Sequence, residues 1–192
     1  LPSTREEIKM ISDLFKKSDR KTLIGENASE EIFKKQLLDK FNIIVFATHG
    51  FMTSELSLVS EPGLALSNFG NQNTEDGYLS SSEIISLNLE ADWVLLTACN
   101  TFNTKDSDQN PFAGLASSFL SAGSDGVMST LWPIETNSAK NFSISAVKKF
   151  KNDGLSRSQS LQKAQHDLRK SKNSQWLHPF YWAPYVNIES TI

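Results

Sequence analysis

Trp93-Val94-Leu95-Leu96-Thr97-Ala98-Cys99-Asn100-Thr101 is an apolar run that stops abruptly at a small residue and a thiol. A second run, Ile43-Ile44-Val45-Phe46-Ala47-Thr48-His49-Gly50, ends the same way at a histidine. Short, continuously apolar stretches of this kind read as strands buried on both faces. Each strand then carries half of a thiol–imidazole pair at its C-terminal end. As parallel neighbours, the two would bring His49 and Cys99 to one sheet edge, where open α/β sheets place their active sites. A cysteine nucleophile and its base require that pairing.

Outward from these strands, helix and strand signals alternate. Residues 6–17 are amphipathic, with Ile8, Ile11, Leu14 and Phe15 on one face. Residues 22–25 read as a short strand, and Ser29 as the N-cap of a helix from Glu30. Residues 50–78 are the least periodic, with an extended piece at Leu64-Ala65-Leu66 and a turn at Asp76-Gly77. Ser80-x-x-Glu83 is a capping box. The strand over 93–97 leads into a polar loop, 100–110, expected to be mobile. Pro111 opens a helix that Gly123 stops. A strand over 126–132 and helices over 135–151 and 156–170 follow. Residues 180–188 read as a last strand, where Pro184 suits an edge or a bulge. The alternation predicts one α/β domain over residues 1–192, a mostly parallel sheet sandwiched by helices. Right-handed crossovers bring the ends of the 42–47 and 93–97 strands to the same edge.

Composition narrows the function classes. The chain has 192 residues, 39% hydrophobic and 21% charged, enough for a sizeable core. A net charge of −3 without a dense basic patch argues against nucleic acid as a direct partner. One cysteine excludes an internal disulfide, argues against structural zinc, and suits a reducing cytoplasm. No stretch approaches a membrane span, a secretory signal is not expected, and neither a phosphate-binding glycine loop nor a metal-ligand cluster suggests a cofactor. The start at Leu1 rather than Met is expected of a domain cut from a longer polypeptide or a processed form.

Each candidate also has a plain structural reading. Free cysteines are often buried packing residues, and a lone histidine is often a satisfied structural one. Position favours chemistry for Cys99 and His49, because both stand where a strand meets a polar segment. His166, among Gln165, Asp167 and Arg169, reads as solvent-facing, and His178, before Pro179, as structural. Gly50 reads either as a turn glycine or as an accessible backbone N–H.

Five phrases, in order, resemble the CHAT domain, a caspase- and separase-related group of cysteine peptidases. They are Leu1-Pro2-Ser3-Thr4-Arg5-Glu6-Glu7, Phe46-Ala47-Thr48-His49-Gly50, Asp76-Gly77-Tyr78-Leu79, Leu96-Thr97-Ala98-Cys99-Asn100-Thr101 and Leu131-Trp132-Pro133-Ile134-Glu135. The closing His178-Pro179-Phe180-Tyr181-Trp182-Ala183-Pro184-Tyr185 is similar to the family's end, so the resemblance covers nearly the whole chain. The interval of about 50 residues from His49 to Cys99 matches the caspase order.

The resemblance implies a caspase–haemoglobinase-like fold and a cytosolic cysteine endopeptidase, in a family whose usual setting is bacterial defence or cell death. By matching position, His49 is the general base and Cys99 the nucleophile, with the N–H groups of Gly50 and Cys99 as the oxyanion hole. It also implies that Thr97, two residues before the nucleophile, faces the substrate side chain, while its strand environment equally allows a packing role. The resemblance further implies that the stretch Met128–Trp132, through Met128, Thr130 and Trp132, lines the cleft, where substrate would bind as an added strand. Glu135 is either a specificity acid or a helix cap. Asn100 stands where the family more often has an acid. CHAT domains commonly follow sensor or repeat regions, so a regulatory partner or N-terminal region is expected besides the protein substrate. The competing readings are a catalytically silent interaction module and a thiol hydrolase or acyltransferase on a small substrate.

Overall fold

The computed structural model describes residues 2–51, 60–68, 75–97 and 111–190. In chain order, its elements are helix α1 (Pro2–Ser12), α2 (Glu30–Lys34), strand β1 (Ile43–Phe46), β2 (Gly50–Phe51), β3 (Gly63–Ala65) and β4 (Tyr78–Ser80). They continue with α3 (Ser81–Ile85), β5 (Trp93–Leu96), α4 (Pro111–Ser121), β6 (Gly126–Thr130), α5 (Thr136–Asp153), α6 (Arg157–Arg169) and β7 (Tyr185–Glu189). The main sheet runs β1-β5-β6-β7. β1, β5 and β6 are parallel, and β7 closes the far edge antiparallel to β6. A smaller antiparallel sheet, β2-β3-β4, lies in the least periodic part of the sequence.

β5 is buried at all four positions, which is why its sequence is continuously apolar. Side chains alternate across a strand, so its two faces build two cores. Val94 and Leu96 join Ile44, Phe46, Val127 and Phe119 in the core toward α2, α3 and α4. Trp93 and Leu95 join Met128, Phe142, Val147 and Ile11 in the core toward α1, α5 and α6. The sheet is therefore mostly parallel and flanked by helices on both faces, as expected for an α/β domain. No described helix is long and apolar enough to cross a membrane.

Local signals hold where side chains act on their own backbone. Ser80 and Glu83 complete both halves of the capping box at α3. Ser29 caps α2 by accepting the Ile32 N–H at 3.3 Å. Gly123 adopts φ +106°, and a Cβ there would meet the Leu89 carbonyl at 2.2 Å, so only glycine ends α4 this way.

Three expectations are corrected. The first helix spans residues 2–12 rather than 6–17. It opens on a proline, favoured in the first turn, and the chain then turns at Asp13, which pairs with Arg20 at 2.7 Å. Residues 22–25 pair with no strand among the described residues; the Thr22 hydroxyl bonds to Ser12 at 2.6 Å, and Gly25 turns the chain at φ +63°. The final strand begins only at Tyr185, because residues 179–181 coil into a short 3-10 turn after Pro179.

Candidate active site

β1 and β5 end side by side. Phe46 and Leu96 are register partners, and the Thr97 N–H carries the ladder one residue further by donating to the Phe46 carbonyl at 3.0 Å. His49 follows Phe46 by three positions in the sequence, and Cys99 follows Leu96 by three. Cys99 and Asn100, with the rest of residues 98–110, lie outside the described residues.

The small sheet anchors the histidine. The His49 carbonyl accepts the Ala65 N–H at 2.7 Å, and the Thr48 hydroxyl donates to the Ala65 carbonyl. The half-buried imidazole stands 6.3 Å, centre to centre, from the Phe51 ring. Because Ala65 bonds to His49, the next pair, Gly50 and Leu64, falls at the non-hydrogen-bonded position of the antiparallel ladder. The buried Gly50 N–H therefore points away from β3, and it has no partner among the described residues.

The expected substrate-binding residues divide. Thr97 is only 2% exposed. By strand alternation its side chain falls on the α1–α5 face, where its hydroxyl donates to the Phe46 carbonyl at 3.4 Å and acts on the Glu7 carboxyl. Met128 and Thr130 are fully buried within β6. The Thr130 hydroxyl has no hydrogen-bond partner among the described residues. Trp132 is half-buried, its indole N–H donating to the Phe180 carbonyl at 3.0 Å, and Leu131 beside it is exposed. Glu135 caps α5, its two carboxylate oxygens accepting the Asn137 and Ser138 N–H groups at 2.8 Å each. His166 is exposed, and His178 caps the 179–181 turn by accepting the Phe180 N–H at 3.2 Å.

A groove of about 1450 Å³ follows the outer edge of β1 from α1 to Thr48 and His49. The bonds from Trp93 N–H to the Asn42 carbonyl and from Thr97 N–H to the Phe46 carbonyl show that the even-numbered residues of β1 face β5. The backbone groups of Ile43 and Val45 thus face the groove.

Two charged features escaped the sequence reading. Glu30, Glu75 and Glu83 converge with oxygens within 4.8 Å of one another. Lys34 Nζ occupies the position a cation would take, at 2.6, 2.8 and 2.7 Å from the three. Burial pushes the Glu30 carboxyl up to about 7 despite Lys34. Burial acts on Glu83 in the same sense, but hydrogen bonds from Lys34 and Ser80 outweigh it and hold Glu83 near 2. The i, i+4 spacing of Glu30 and Lys34 was the available signal. The second feature is Glu7, a carboxyl only 3% exposed on the apolar face of α1. Its position four residues before Ile11 marks that face.

A family model described as "CHAT domain" matches residues 1–190. The chain is also 27% identical, over its whole length, to part of "Tetratricopeptide repeat protein 28" of Homo sapiens. It spans 8% of that relative's own length.

Proposed function

The chain belongs to the CHAT domain family, and on that premise we propose that it is a caspase-like cysteine endopeptidase acting on a protein substrate. The single observation that carries the reading is the shared offset of His49 and Cys99 beyond the paired ends of β1 and β5. The mostly parallel sheet between two helical layers supports a fold of the caspase–haemoglobinase type.

In this reading His49 takes the proton of the Cys99 thiol and the thiolate attacks the scissile carbonyl. The N–H groups of Gly50 and Cys99 stabilise the oxyanion, and the ladder position of Gly50 supports its part. The imidazolium then protonates the leaving amine, and water hydrolyses the thioester. The exposed Leu131 and half-buried Trp132 supply cleft wall beyond the buried part of β6. The capped Glu135 favours its structural role over a specificity role.

The regulatory input comes from a partner or flanking region. The relative named for tetratricopeptide repeats supports a repeat-type sensor as that input. Site of action is the cytoplasm, in keeping with a single free thiol. The deciding experiment is cleavage of the cognate protein by wild type and Cys99→Ala. Loss of cleavage in the variant is expected, and retained cleavage would overturn nucleophilic catalysis by Cys99.

A further inference from the structure

Burying a carboxyl is costly unless its hydrogen bonds are replaced. Glu7 sits at 3% exposure on the face of α1 that packs against the sheet, where an aliphatic side chain would meet no such cost. Its partners come from elsewhere in the fold. Ser143 on α5 donates from Oγ to Glu7 Oε1 at 2.7 Å. Thr97, immediately after β5, brings its hydroxyl to bear on the same carboxyl, and that hydroxyl also donates to the Phe46 carbonyl at 3.4 Å. Thr97 in turn donates its N–H to the carbonyl of Phe46, the last residue of β1, at 3.0 Å. One buried acceptor thus ties together α1, α5 and the ends of both strands from which His49 and Cys99 follow.

We propose that Glu7 is a positioning residue for the thiol–imidazole pair, acting through Thr97 to fix how far β1 and β5 run together before the chain departs toward His49 and Cys99. The inference rests on the peptidase reading. It also gives Thr97 a different task from facing substrate, since its hydroxyl is turned inward. The shift of the Glu7 carboxyl agrees with this geometry. Burial raises it, while the Ser143 and Thr97 hydroxyls and the nearby Lys140 charge work in the opposite sense. Ser143 and Thr97 also reach backbone acceptors, the Lys140 and Phe46 carbonyls at 3.0 and 3.4 Å. What Glu7 adds is the tie from α1 to both hydroxyls, which a glutamine carbonyl also provides and an aliphatic side chain does not.

Cys99 is the only cysteine, so alkylation by iodoacetamide reports this thiol alone. The experiment is the pH dependence of that alkylation, with kcat and KM for cleavage and a thermal melt, in wild type, His49→Ala, Glu7→Gln, Glu7→Ala and Thr97→Val. In wild type the midpoint should lie below the free-thiol value of about 8.5, and in His49→Ala it should return there. Glu7→Ala and Thr97→Val should each move the midpoint toward the free-thiol value and lower kcat about tenfold with little change in KM, an activation loss of about 1.4 kcal/mol. Glu7→Gln should restore both. If Glu7→Ala does not fold, Thr97→Val carries the test by itself. Folded variants with the wild-type midpoint and kcat would overturn the role of Glu7 while leaving the peptidase reading intact. A wild-type midpoint unaffected by His49→Ala would instead remove the peptidase reading, and this inference with it.

Discussion

Phe46 and Leu96 are register partners at the final positions of two adjacent parallel strands, joined one step further by the Thr97 N–H on the Phe46 carbonyl. Parallel neighbours share a direction, so both chains leave the sheet at the same edge. In the proposed reading, the imidazole three residues beyond one end and the thiol three residues beyond the other are the two parts of a nucleophilic pair.

The dyad carries the first prediction. Cys99→Ala should abolish cleavage, and His49→Ala should lower it by about 10²–10⁴-fold, the usual contribution of a positioned acid–base group. Melting temperatures should stay close to wild type, because neither change removes a large core side chain. Cleavage assays run beside thermal melts check both halves.

Specificity follows from Glu135. With one α5 N–H on each carboxylate oxygen, it is held at the helix start and its charge already serves the cap. A peptide library should therefore show a neutral residue such as Leu or Met preferred before the scissile bond, equally in wild type and Glu135→Gln. Glu135→Ala should cost about 1 kcal/mol of stability through loss of the cap. A strong Lys or Arg preference that disappears in Glu135→Gln would contradict this assignment.

Glu30 sets a pH dependence. Its folded carboxyl, raised to about 7, binds a proton that the unfolded chain releases from its ordinary value of 4.5. Stability from this group is complete below about 4.5 and is lost as pH rises through about 7. Glu83 works the other way, since its lowered carboxyl contributes above 4.5 and fails as pH falls toward about 2. Wild type should therefore lose melting temperature between pH 5 and pH 8 relative to Glu30→Gln, which has no proton to release. Parallel pH–melting curves for the two proteins check this.

Packing under the end of β1 gives a further test. Phe46 lies 5.2 Å from Phe33 and 5.4 Å from Phe119, centre to centre. Truncating the fully buried Phe119 to Ala should cost about 3–5 kcal/mol. Denaturant unfolding measures it.

What was legible in the sequence follows from where each signal resides. β1 and β5 stood out because strands covered on both faces must be apolar at nearly every position. The caps at Ser29, Ser80 and Glu135 were legible because each side chain acts on backbone only two or three residues away. β2 and β4 are two and three residues long, too short for any periodicity, and are held by pairing with β3. The end of α1 was hidden because the apolar spacing continues through Leu14 and Phe15, while the turn is fixed by distant partners: Arg20 on Asp13 and Lys151 on the Leu14 carbonyl. Thr97, Met128 and Thr130 show the same limit at the site. Their place near the strand ends was readable, but their burial depends on the helices packed against the sheet. The burial of Glu7 was not legible because the Ser143 hydroxyl that bonds it, and Thr97 beside it, come from distant parts of the chain.

The most direct test of the central claim is covalent capture of Cys99 by a peptide carrying a thiol-reactive electrophile, followed by mass spectrometry, in wild type and His49→Ala. The account predicts one adduct per chain, on Cys99, formed far faster in wild type than in His49→Ala. Equal labelling rates in the two proteins would contradict it.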